Sequence, residues 1–288
     1  MEHRLLLIDG NGFFYRSFFA IRNLSTRDGQ PTNAVFGFIR ACHQLFEVLG
    51  PTHVAVAWDG GVPRARLDLI PDYKAQRPPM PDALRAQLPH IAEFLERAQI
   101  PMIRIEGEEA DDVLASLSDW AVKQDAEVLM ATSDKDMFQV VGERTRIVQA
   151  AKDAPLIDSD AVKEKTGVLP RQIVDWLALT GDAVDNIPGV PGLGPKTAAR
   201  LLGVFGNLDE LWRRLPEVES VRLRDSLVQF RSVVDRNREV VRLNGSLQCS
   251  PGWPLMERRT EEAARMRSFY EKMEFHSLLK GMDQPMLL

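Results

Sequence analysis

Three apolar runs of this chain each lead to an aspartate, and this arrangement restricts the fold more than any other feature. The acids are Asp9, Asp59 and Asp134, and each run is long enough for a strand buried on both faces. In an open α/β sheet, the carboxyl ends of the strands line the ligand crevice. We therefore expect the three carboxylates to converge, which requires positive charge to neutralise them. Divalent cations bind such oxygen ligands, so the sequence predicts a metal site.

The order of the remaining patterns predicts an α/β fold with a mostly parallel central sheet flanked by helices. Strands are expected near 4–9, 53–58, 102–105, 127–132 and 145–149, and helices near 33–49, 81–98 and 109–123. From about residue 158 the pattern is helical, with segments at 197–203, 207–214, 218–243 and 261–273. We therefore divide the chain into an α/β region (1–157) and a C-terminal helical region (158–288).

Composition indicates a protein of the reducing cytoplasm. The two cysteines, Cys42 and Cys249, lie far apart and have no histidines beside them, which argues against a disulfide or a zinc site. No apolar stretch approaches the roughly 20 residues of a membrane helix, and because the strand pattern begins almost at the first residue we expect no signal peptide. The net charge is −5, but without the nine acids of the candidate metal site 32 acids face 36 Lys and Arg. The remaining surface is mildly basic, which is compatible with phosphate binding.

Further acids occur in three short clusters. They give, with the strand-end aspartates, nine candidates: Asp9, Asp59, Glu109, Asp111, Asp112, Asp134, Asp136, Asp182 and Asp185. Each cluster alone is equally well explained as a helix cap or a solvated face. The i, i+3 spacing of Asp182 and Asp185 would put both on one side of a helical turn. Together the acids suit two divalent cations, an arrangement that hydrolyses phosphodiesters. No nucleophilic triad or phosphate-binding glycine loop competes with this interpretation.

A glycine-rich segment between two helical patterns predicts a helix-hairpin-helix at about 184–203. Its candidate DNA-binding residues are Gly189, Gly192, Gly194, Lys196 and Thr197. Glycines allow the backbone to approach a ligand closely, and the following helix presents free N–H groups to phosphate. Such a motif would hold a DNA backbone without reading its sequence. The alternative is an ordinary glycine-rich turn between helices.

Residues 61–81 form the least regular stretch, with five prolines and scattered basic residues, and we expect a mobile excursion from the sheet. Lys74 and Arg77 are candidates to stabilise transition-state charge, and Arg66 is a candidate DNA contact. Tyr73 could stack on a base. A solvated charged loop explains this segment equally well. Tyr15 and Arg16, shortly after Asp9, are further candidates for phosphate or base contact, unless they serve packing and a surface salt bridge.

These residues together resemble the 5′ nuclease family, which includes the 5′–3′ exonuclease domain of bacterial DNA polymerase I, phage 5′ exonucleases and flap endonucleases. The matching motifs are IDG at 8–10, DGQPT at 28–32, WD at 58–59, YKAQRP at 73–78, EADD at 109–112, SDKD at 133–136, LTGD at 179–182, NIPG at 186–189 and EFHSLL at 274–279. The similarity extends over nearly the whole chain. It leaves open whether this is a free-standing member or the N-terminal domain of a polymerase.

The resemblance implies a PIN-like fold and a structure-selective 5′–3′ exonuclease and 5′-flap endonuclease that uses two Mg²⁺ or Mn²⁺ ions. One ion would be held by Asp9, Asp59, Glu109 and Asp111, with Asp112 nearby, and the second by Asp134, Asp136, Asp182 and Asp185. Residues 61–90 would form the arch of the family, with Lys74, Arg77 and Arg66 as its basic residues. The segment from Gly189 to Thr197 would match the hairpin, where the family often binds K⁺.

The expected partners follow from the same resemblance: DNA with 5′ flaps or 5′ duplex ends, and RNA–DNA hybrids. We expect a monomer that works in the cytoplasm, at the bacterial nucleoid, without a membrane. Two other functions stay open at this point. One is a module that holds branched DNA without cutting it, although all nine acidic positions are filled. The other is a PIN-like ribonuclease for single strands, which the hairpin disfavours.

Overall fold

In the computed structural model, which describes residues 3–149, 155–259 and 263–283, five strands form one parallel sheet in the order β3-β2-β1-β4-β5. The strands are β1 (Arg4–Asp9), β2 (His53–Trp58), β3 (Met102–Arg104), β4 (Glu127–Ala131) and β5 (Thr145–Val148). Each lies within one residue of its expected bounds, and the predicted fold class is confirmed. The chain leaves β1 towards β3 on one side and returns to β4 on the other. This reversal opens a crevice at the carboxyl ends of β1 and β4.

Both faces of the sheet are covered, because its three central strands carry uninterrupted apolar runs, Leu5–Ile8, Val54–Trp58 and Val128–Ala131. In β1, Leu5 and Leu7 belong to one hydrophobic cluster, whereas Leu6 and Ile8 belong to the other. All four side chains are completely buried. This division follows from the two-residue period of a strand, whose successive side chains point to opposite faces. The central strand therefore joins two cores and holds its last residue, Asp9, in a fixed position.

The helices of the described ranges account for most of the remaining chain. They are α1 (Gly10–Ala20), α2 (Asn33–Leu49), α3 (Arg64–Leu69), α4 (Asp82–Arg85), α5 (Leu88–Arg97), α6 (Ala110–Val122), α7 (Ser159–Thr166), α8 (Ile173–Thr180), α9 (Pro195–Phe205), α10 (Leu208–Arg213), α11 (Val221–Val241), α12 (Trp253–Met256), α13 (Ala263–Lys272) and α14 (His276–Asp283). Three short 3₁₀ segments are also present: Asp136–Val140, Pro170–Gln172 and Leu215–Glu217. The predicted helix at 261–273 begins outside the described residues. None of these helices is long and apolar enough to span a bilayer.

The single helix expected at 81–98 is wrong, because the structure has two helices, α4 and α5, that are separated at Gln87. Gln87 is completely buried, and its Oε1 accepts hydrogen bonds from the N–H groups of Ala34 and Val35 at 2.9 and 3.3 Å. Its side-chain amide thus satisfies the free donors at the start of α2. The break in the helix positions this amide.

The segment at 61–90 is more ordered in its packing than the sequence indicates. It contains α3 and α4, and its Ile70, Tyr73 and Leu84 side chains are buried. Helix α3 packs against α11, and the N–H group of Lys74 donates to the carbonyl of Asp185 at 3.1 Å. The expected excursion from the sheet instead lies against the helical region, next to the carboxyl edge.

Candidate functional site

The carboxyl edge of the sheet brings the three strand-end aspartates together. Asp9 ends β1 and is in register with Ala57 of β2, two residues before Asp59. On the other side, Ile8 is in register with Ala131 of β4, three residues before Asp134. The negative charges of Asp59 and Asp134 both contribute to the raised pKa of Asp9. The predicted convergence of these acids is therefore present in the fold.

Asp9 lies at the centre of this edge and is held on both of its carboxylate oxygens. Its Oδ1 accepts the N–H of Gly12 at 2.8 Å, and its Oδ2 accepts the hydroxyl of Thr132 at 3.1 Å. Burial raises its pKa to about 6, although these hydrogen bonds oppose the shift. The Thr132 hydroxyl also accepts the N–H of Asp134 at 3.1 Å. Thr132 thus joins two candidate ligands, a role that no sequence motif indicated.

Asp59 is fixed between α1 and α6. Its Oδ1 accepts the N–H of Ala110 at 2.8 Å, which places the carboxylate at the positive end of α6. Its own N–H donates to Oδ1 of Asn11 at 3.0 Å. Asn11 is the second positioning residue that the sequence analysis missed, because its contact joins residues 48 positions apart.

The first turn of α6 carries Glu109 and Asp111 into the crevice. Oε2 of Glu109 lies 2.7 Å from Nζ of Lys74 and 3.0 Å from Nη1 of Arg66, whereas its Oε1 is buried without a partner in the described residues. Burial raises the pKa of Glu109 against the effect of these cations. Burial and the nearby charges of Asp134 and Asp9 raise the pKa of Asp111 well above its ordinary value.

A second group of acids lies on the loop that follows β4. Oδ1 of Asp134 accepts the N–H of Asp136 at 2.8 Å. Burial and the charge of Asp134 raise the pKa of Asp136 to about 7, and Oδ1 of Asp136 is buried without a partner among the described residues. Nζ of Lys135 lies 3.0 Å from Oδ2 of Asp182, which brings the segment after α8 to this group.

The prediction that Asp182 and Asp185 share a helical turn is wrong. Backbone hydrogen bonds of 2.8 Å run in both directions between Asp182 and Ile187, so the segment is a tight hairpin rather than a helix. In this hairpin Asp182 pairs with Lys135, whereas Oδ1 of Asp185 pairs with Arg77. Both acids reach the carboxyl edge, but from different points of the hairpin.

The acids fit divalent cations by their chemistry, although their present partners are basic side chains. No group of three His, Cys, Asp or Glu residues within the described ranges is already arranged to hold a metal ion. Lysine and arginine neutralise the carboxylates instead. However, Oε1 of Glu109 and Oδ1 of Asp136 are buried without a partner in the described residues, and burial raises the pKa values of Asp9, Asp111 and Asp136. Hard cations satisfy all-oxygen sites of this kind.

Three candidate residues are buried in contacts within the protein. Arg66, expected at the DNA, is buried and binds both oxygens of Asp112 at 2.6 and 2.8 Å. Asp112, expected near the metal, is completely buried in this pair and also accepts the N–H of Asn244 at 2.8 Å. The pair joins α3 to α6 and to the chain after α11, a structural role. Tyr73 is also buried, with its hydroxyl 3.4 Å from Glu109, and cannot stack on a base in this conformation.

The glycine-rich segment lies between α8 and α9, as expected for a helix-hairpin-helix. A Cβ added to Gly189 would lie 2.0 Å from the carbonyl oxygen of Thr180, so only glycine permits this close approach. Gly192 has a φ of +77°, and Gly194 directly precedes α9. Lys196 is exposed and Thr197 half-buried in the first turn of α9. The ammonium group of Lys196 is therefore available to an anion, whereas the N–H of Thr197 donates to the carbonyl of Gly194 at 3.0 Å.

The candidates on α1, Tyr15 and Arg16, lie on the helix that Asp9 caps. Tyr15 is half-buried and packs against the hydrophobic cluster that contains Phe14, whereas Arg16 is exposed. Lys74 is half-buried and Arg77 exposed, and both contact Asp185. Lys74 and Arg77 are thus gathered with the acids at the carboxyl edge.

Comparison with known proteins gives matches over nearly the whole chain. Residues 4–167 match the family model described as "5'-3' exonuclease, N-terminal resolvase-like domain", and residues 168–263 match "5'-3' exonuclease, C-terminal SAM fold". The chain is 34% identical over 280 residues to a 5'-3' exonuclease of Aquifex aeolicus, covering 97% of this chain and 95% of that protein. It is 34% identical over 284 residues to DNA polymerase I of Bacillus subtilis, covering 98% of this chain but 32% of the polymerase.

Solved structures share the fold. A T5 5'-exonuclease with bound divalent metal ions (zinc) superposes with a TM-score of 0.70 and 22% identity, covering 84% of this chain and 90% of that one. The catalytic core of Rad2 in complex with DNA substrate gives a TM-score of 0.65 and 19% identity, covering 98% and 91%. The two family models together cover residues 4–263. From these matches and the carboxylate-lined edge, we conclude that this chain belongs to the 5′–3′ exonuclease family.

Proposed function

We propose that this protein is a divalent-cation-dependent 5′ nuclease that hydrolyses DNA phosphodiester bonds at 5′ ends and at 5′ flaps. The observation that carries the proposal is the group of buried and half-buried carboxylates at one sheet edge, two of which, Glu109 and Asp136, have a buried oxygen without a partner in the described residues. Lys74 and Arg77 of the basic segment at 61–90 pair with Glu109 and Asp185 of this group, which supports a phosphodiester substrate. Membership in the exonuclease family and the DNA-bound Rad2 structure support the same substrate class.

Eight carboxylates would hold two Mg²⁺ or Mn²⁺ ions. The first group is Asp9, Asp59, Glu109 and Asp111, and the second is Asp134, Asp136, Asp182 and Asp185. When bound, such ions supply Lewis acidity and an activated water for in-line hydrolysis. The protein contributes the rigid placement of the oxygens. Strand β1 fixes Asp9, the start of α6 fixes Asp59, and Thr132 connects the two groups.

Lys74 and Arg77 would bind the oxygens of the scissile phosphate. Lys74 has a φ of +57°, an uncommon conformation for a residue other than glycine, and its N–H is held by the Asp185 carbonyl. This strained position aims the ammonium group between Glu109 and Asp185, at 2.7 and 3.8 Å. A cation so placed stabilises negative charge that develops on a transferred phosphate.

The helical region would hold the duplex. Gly189, Gly192 and Gly194 permit close backbone approach, and Lys196 and Thr197 would contact a phosphate at the start of α9. K⁺ would bind carbonyl groups of this hairpin, and Arg16 and Tyr15 would contact DNA near the first aspartate.

The catalytic region then corresponds to 1–157 and the DNA-holding region to 158–288. We further propose a monomer that also accepts RNA–DNA hybrids. Size-exclusion chromatography checks the monomer, and cleavage of a labelled RNA–DNA hybrid checks the second substrate.

The decisive experiment compares cleavage of a labelled 5′-flap DNA in Mg²⁺ by two variants of one helix, Asp111→Asn and Asp119→Asn. Asp111 lies at the carboxyl edge, whereas Asp119 is exposed and pairs with Lys123 at 2.5 Å. We expect Asp111→Asn to lose at least about a hundredfold in rate because outer and inner ligands of metal sites have effects of this size. Asp119→Asn should cut normally, and EDTA should stop the wild-type protein.

Other outcomes would select another function. Tight binding of the flap without cleavage, in Mn²⁺ as well as Mg²⁺, would indicate a DNA-holding module. Faster cleavage of single-stranded RNA than of flap DNA would indicate a ribonuclease. Equal rates for Asp111→Asn and the wild-type protein would show that the carboxyl edge is not the site of hydrolysis.

A further inference from the structure

Lys135 places a positive charge inside the second carboxylate group. Its neighbours in the chain are Asp134 and Asp136, and its Nζ lies 3.0 Å from Oδ2 of Asp182. Asp182 is nearly buried, whereas 46% of the Lys135 side chain is exposed. The ammonium group therefore contacts a candidate cation ligand from the solvent side.

The backbone around Lys135 is fixed independently of its side chain. The N–H of Asp134 donates to the Thr132 hydroxyl at 3.1 Å, and the N–H of Asp136 donates to Oδ1 of Asp134 at 2.8 Å. A 3₁₀ segment, Asp136–Val140, follows at once. The four-carbon side chain can consequently leave Asp182 while the loop and its two aspartates keep their positions.

Charge balance shows what this contact does before a metal ion binds. Lys135 is surrounded by three acidic side chains, since it lies between Asp134 and Asp136 in the chain and contacts Asp182, and Oδ1 of Asp136 is buried without a partner in the described part of the chain. Lys135 neutralises one of these charges, as Lys74 does for Glu109 in the first group. A divalent cation bound by Asp182 would lie close to this ammonium group, and the two like charges would repel each other.

We propose that Lys135 is an exchangeable counter-cation: it occupies Asp182 until the second divalent ion binds, and its ammonium group then moves to a DNA phosphate. This role rests on the proposed nuclease function. Because coupling between two ligands is reciprocal, a phosphate that draws Lys135 away raises the affinity of the second group for its cation. Lys135 thus links DNA binding to completion of the metal site. Without DNA it acts through Asp182, and with DNA bound it contacts the substrate.

The test is a titration of the DNA-free protein with Mn²⁺, in which electron paramagnetic resonance measures the bound ion. The proteins compared are the wild type, Lys135→Met and Lys123→Met. Lys123 is a matched control because it pairs with a carboxylate, Asp119, on the surface of α6. We expect the second carboxylate group of Lys135→Met to bind Mn²⁺ about tenfold more tightly than that of the wild type, since one repelling charge is removed. Lys123→Met and Lys135→Arg should both bind Mn²⁺ with the affinity of the wild type, because each keeps a positive charge beside Asp182.

A second measurement follows the phosphate contact. At saturating Mg²⁺, the salt dependence of KM for flap DNA should become shallower in Lys135→Met by about one phosphate contact. Unchanged or weaker Mn²⁺ binding in Lys135→Met would overturn the proposal. Tighter Mn²⁺ binding with an unchanged salt dependence would overturn the transfer to phosphate. Failure of the nuclease function itself would be distinguishable, because the wild type would then bind no Mn²⁺ and cut no DNA.

Discussion

The buried pair of Arg66 and Asp112 offers a quantitative test of the structure. Arg66 binds both oxygens of Asp112, and its remaining donors reach Glu109 and the carbonyl of Val240. The Asp112 side chain is completely inaccessible to solvent. Removing one partner of such a pair leaves a buried charge and costs about 3–5 kcal/mol, whereas an exposed pair contributes about 0–1 kcal/mol. Asp112→Asn should therefore lower the free energy of unfolding by about 3 kcal/mol.

Urea unfolding of four proteins measures this effect: the wild type, Asp112→Asn, Arg66→Met and the double variant Arg66→Met/Asp112→Leu. We expect the double variant to be more stable than either single variant, because it leaves no unpaired buried charge. Folded Arg66→Met should bind flap DNA within about twofold of the wild type, since Arg66 is not accessible. A loss of stability below about 1 kcal/mol, or a selective loss of DNA binding, would refute the structural role of this pair.

Three further predictions concern the carboxyl edge and the hairpin. Thr132→Val should weaken Mn²⁺ binding about tenfold in a calorimetric titration, and Thr132→Ser should restore it, because the hydroxyl orients two acids. In EDTA, urea unfolding should show that the free energy of unfolding rises as the pH falls from 8 to 5. The folded state takes up protons more readily than the unfolded state, because the pKa values of Asp9 (about 6) and Asp136 (about 7) are raised. Mg²⁺ should make the free energy of unfolding depend less on pH. Gly189→Ala should lower the melting temperature and weaken DNA binding, because its Cβ would clash with backbone, whereas Gly194→Ala, whose Cβ meets nothing within 4 Å, should melt normally.

The fold could be predicted because its signals are local. Apolar runs of strand length, each followed by an acid, place β1, β2 and β4 within one residue of their observed bounds. Parallel strands then bring Asp9, Asp59 and Asp134 to one edge without further information. The match between the expected and observed sheet follows from these short-range patterns.

Burial of charged residues could not be predicted in the same way. Arg66 and Asp112 are 46 residues apart in the chain, and both occur in segments that are rich in charge. Their pairing depends on α3 packing beside α6 and α11, which no local pattern records. Tyr73 is buried for the same reason, although its basic neighbours indicated an exposed position.

The spacing of Asp182 and Asp185 illustrates a different limit. An i, i+3 pair is compatible with a helical turn and with a tight hairpin, and only the hydrogen bonds between Asp182 and Ile187 decide. Likewise, Thr132 and Asn11 carry no motif of their own. The role of each is shown only by its hydrogen bond: the Thr132 hydroxyl donates to the Asp9 carboxylate, and Oδ1 of Asn11 accepts the backbone N–H of Asp59.

The central claim is that the acids at the carboxyl edge bind divalent cations. The most direct measurement is anomalous X-ray scattering from a crystal soaked in Mn²⁺. We predict two peaks, one beside Asp9 and Asp111 and one beside Asp136 and Asp182, with the second stronger in Lys135→Met at limiting Mn²⁺. Absence of both peaks at saturating Mn²⁺, with the carboxylates still paired to Lys74 and Lys135, would contradict the account.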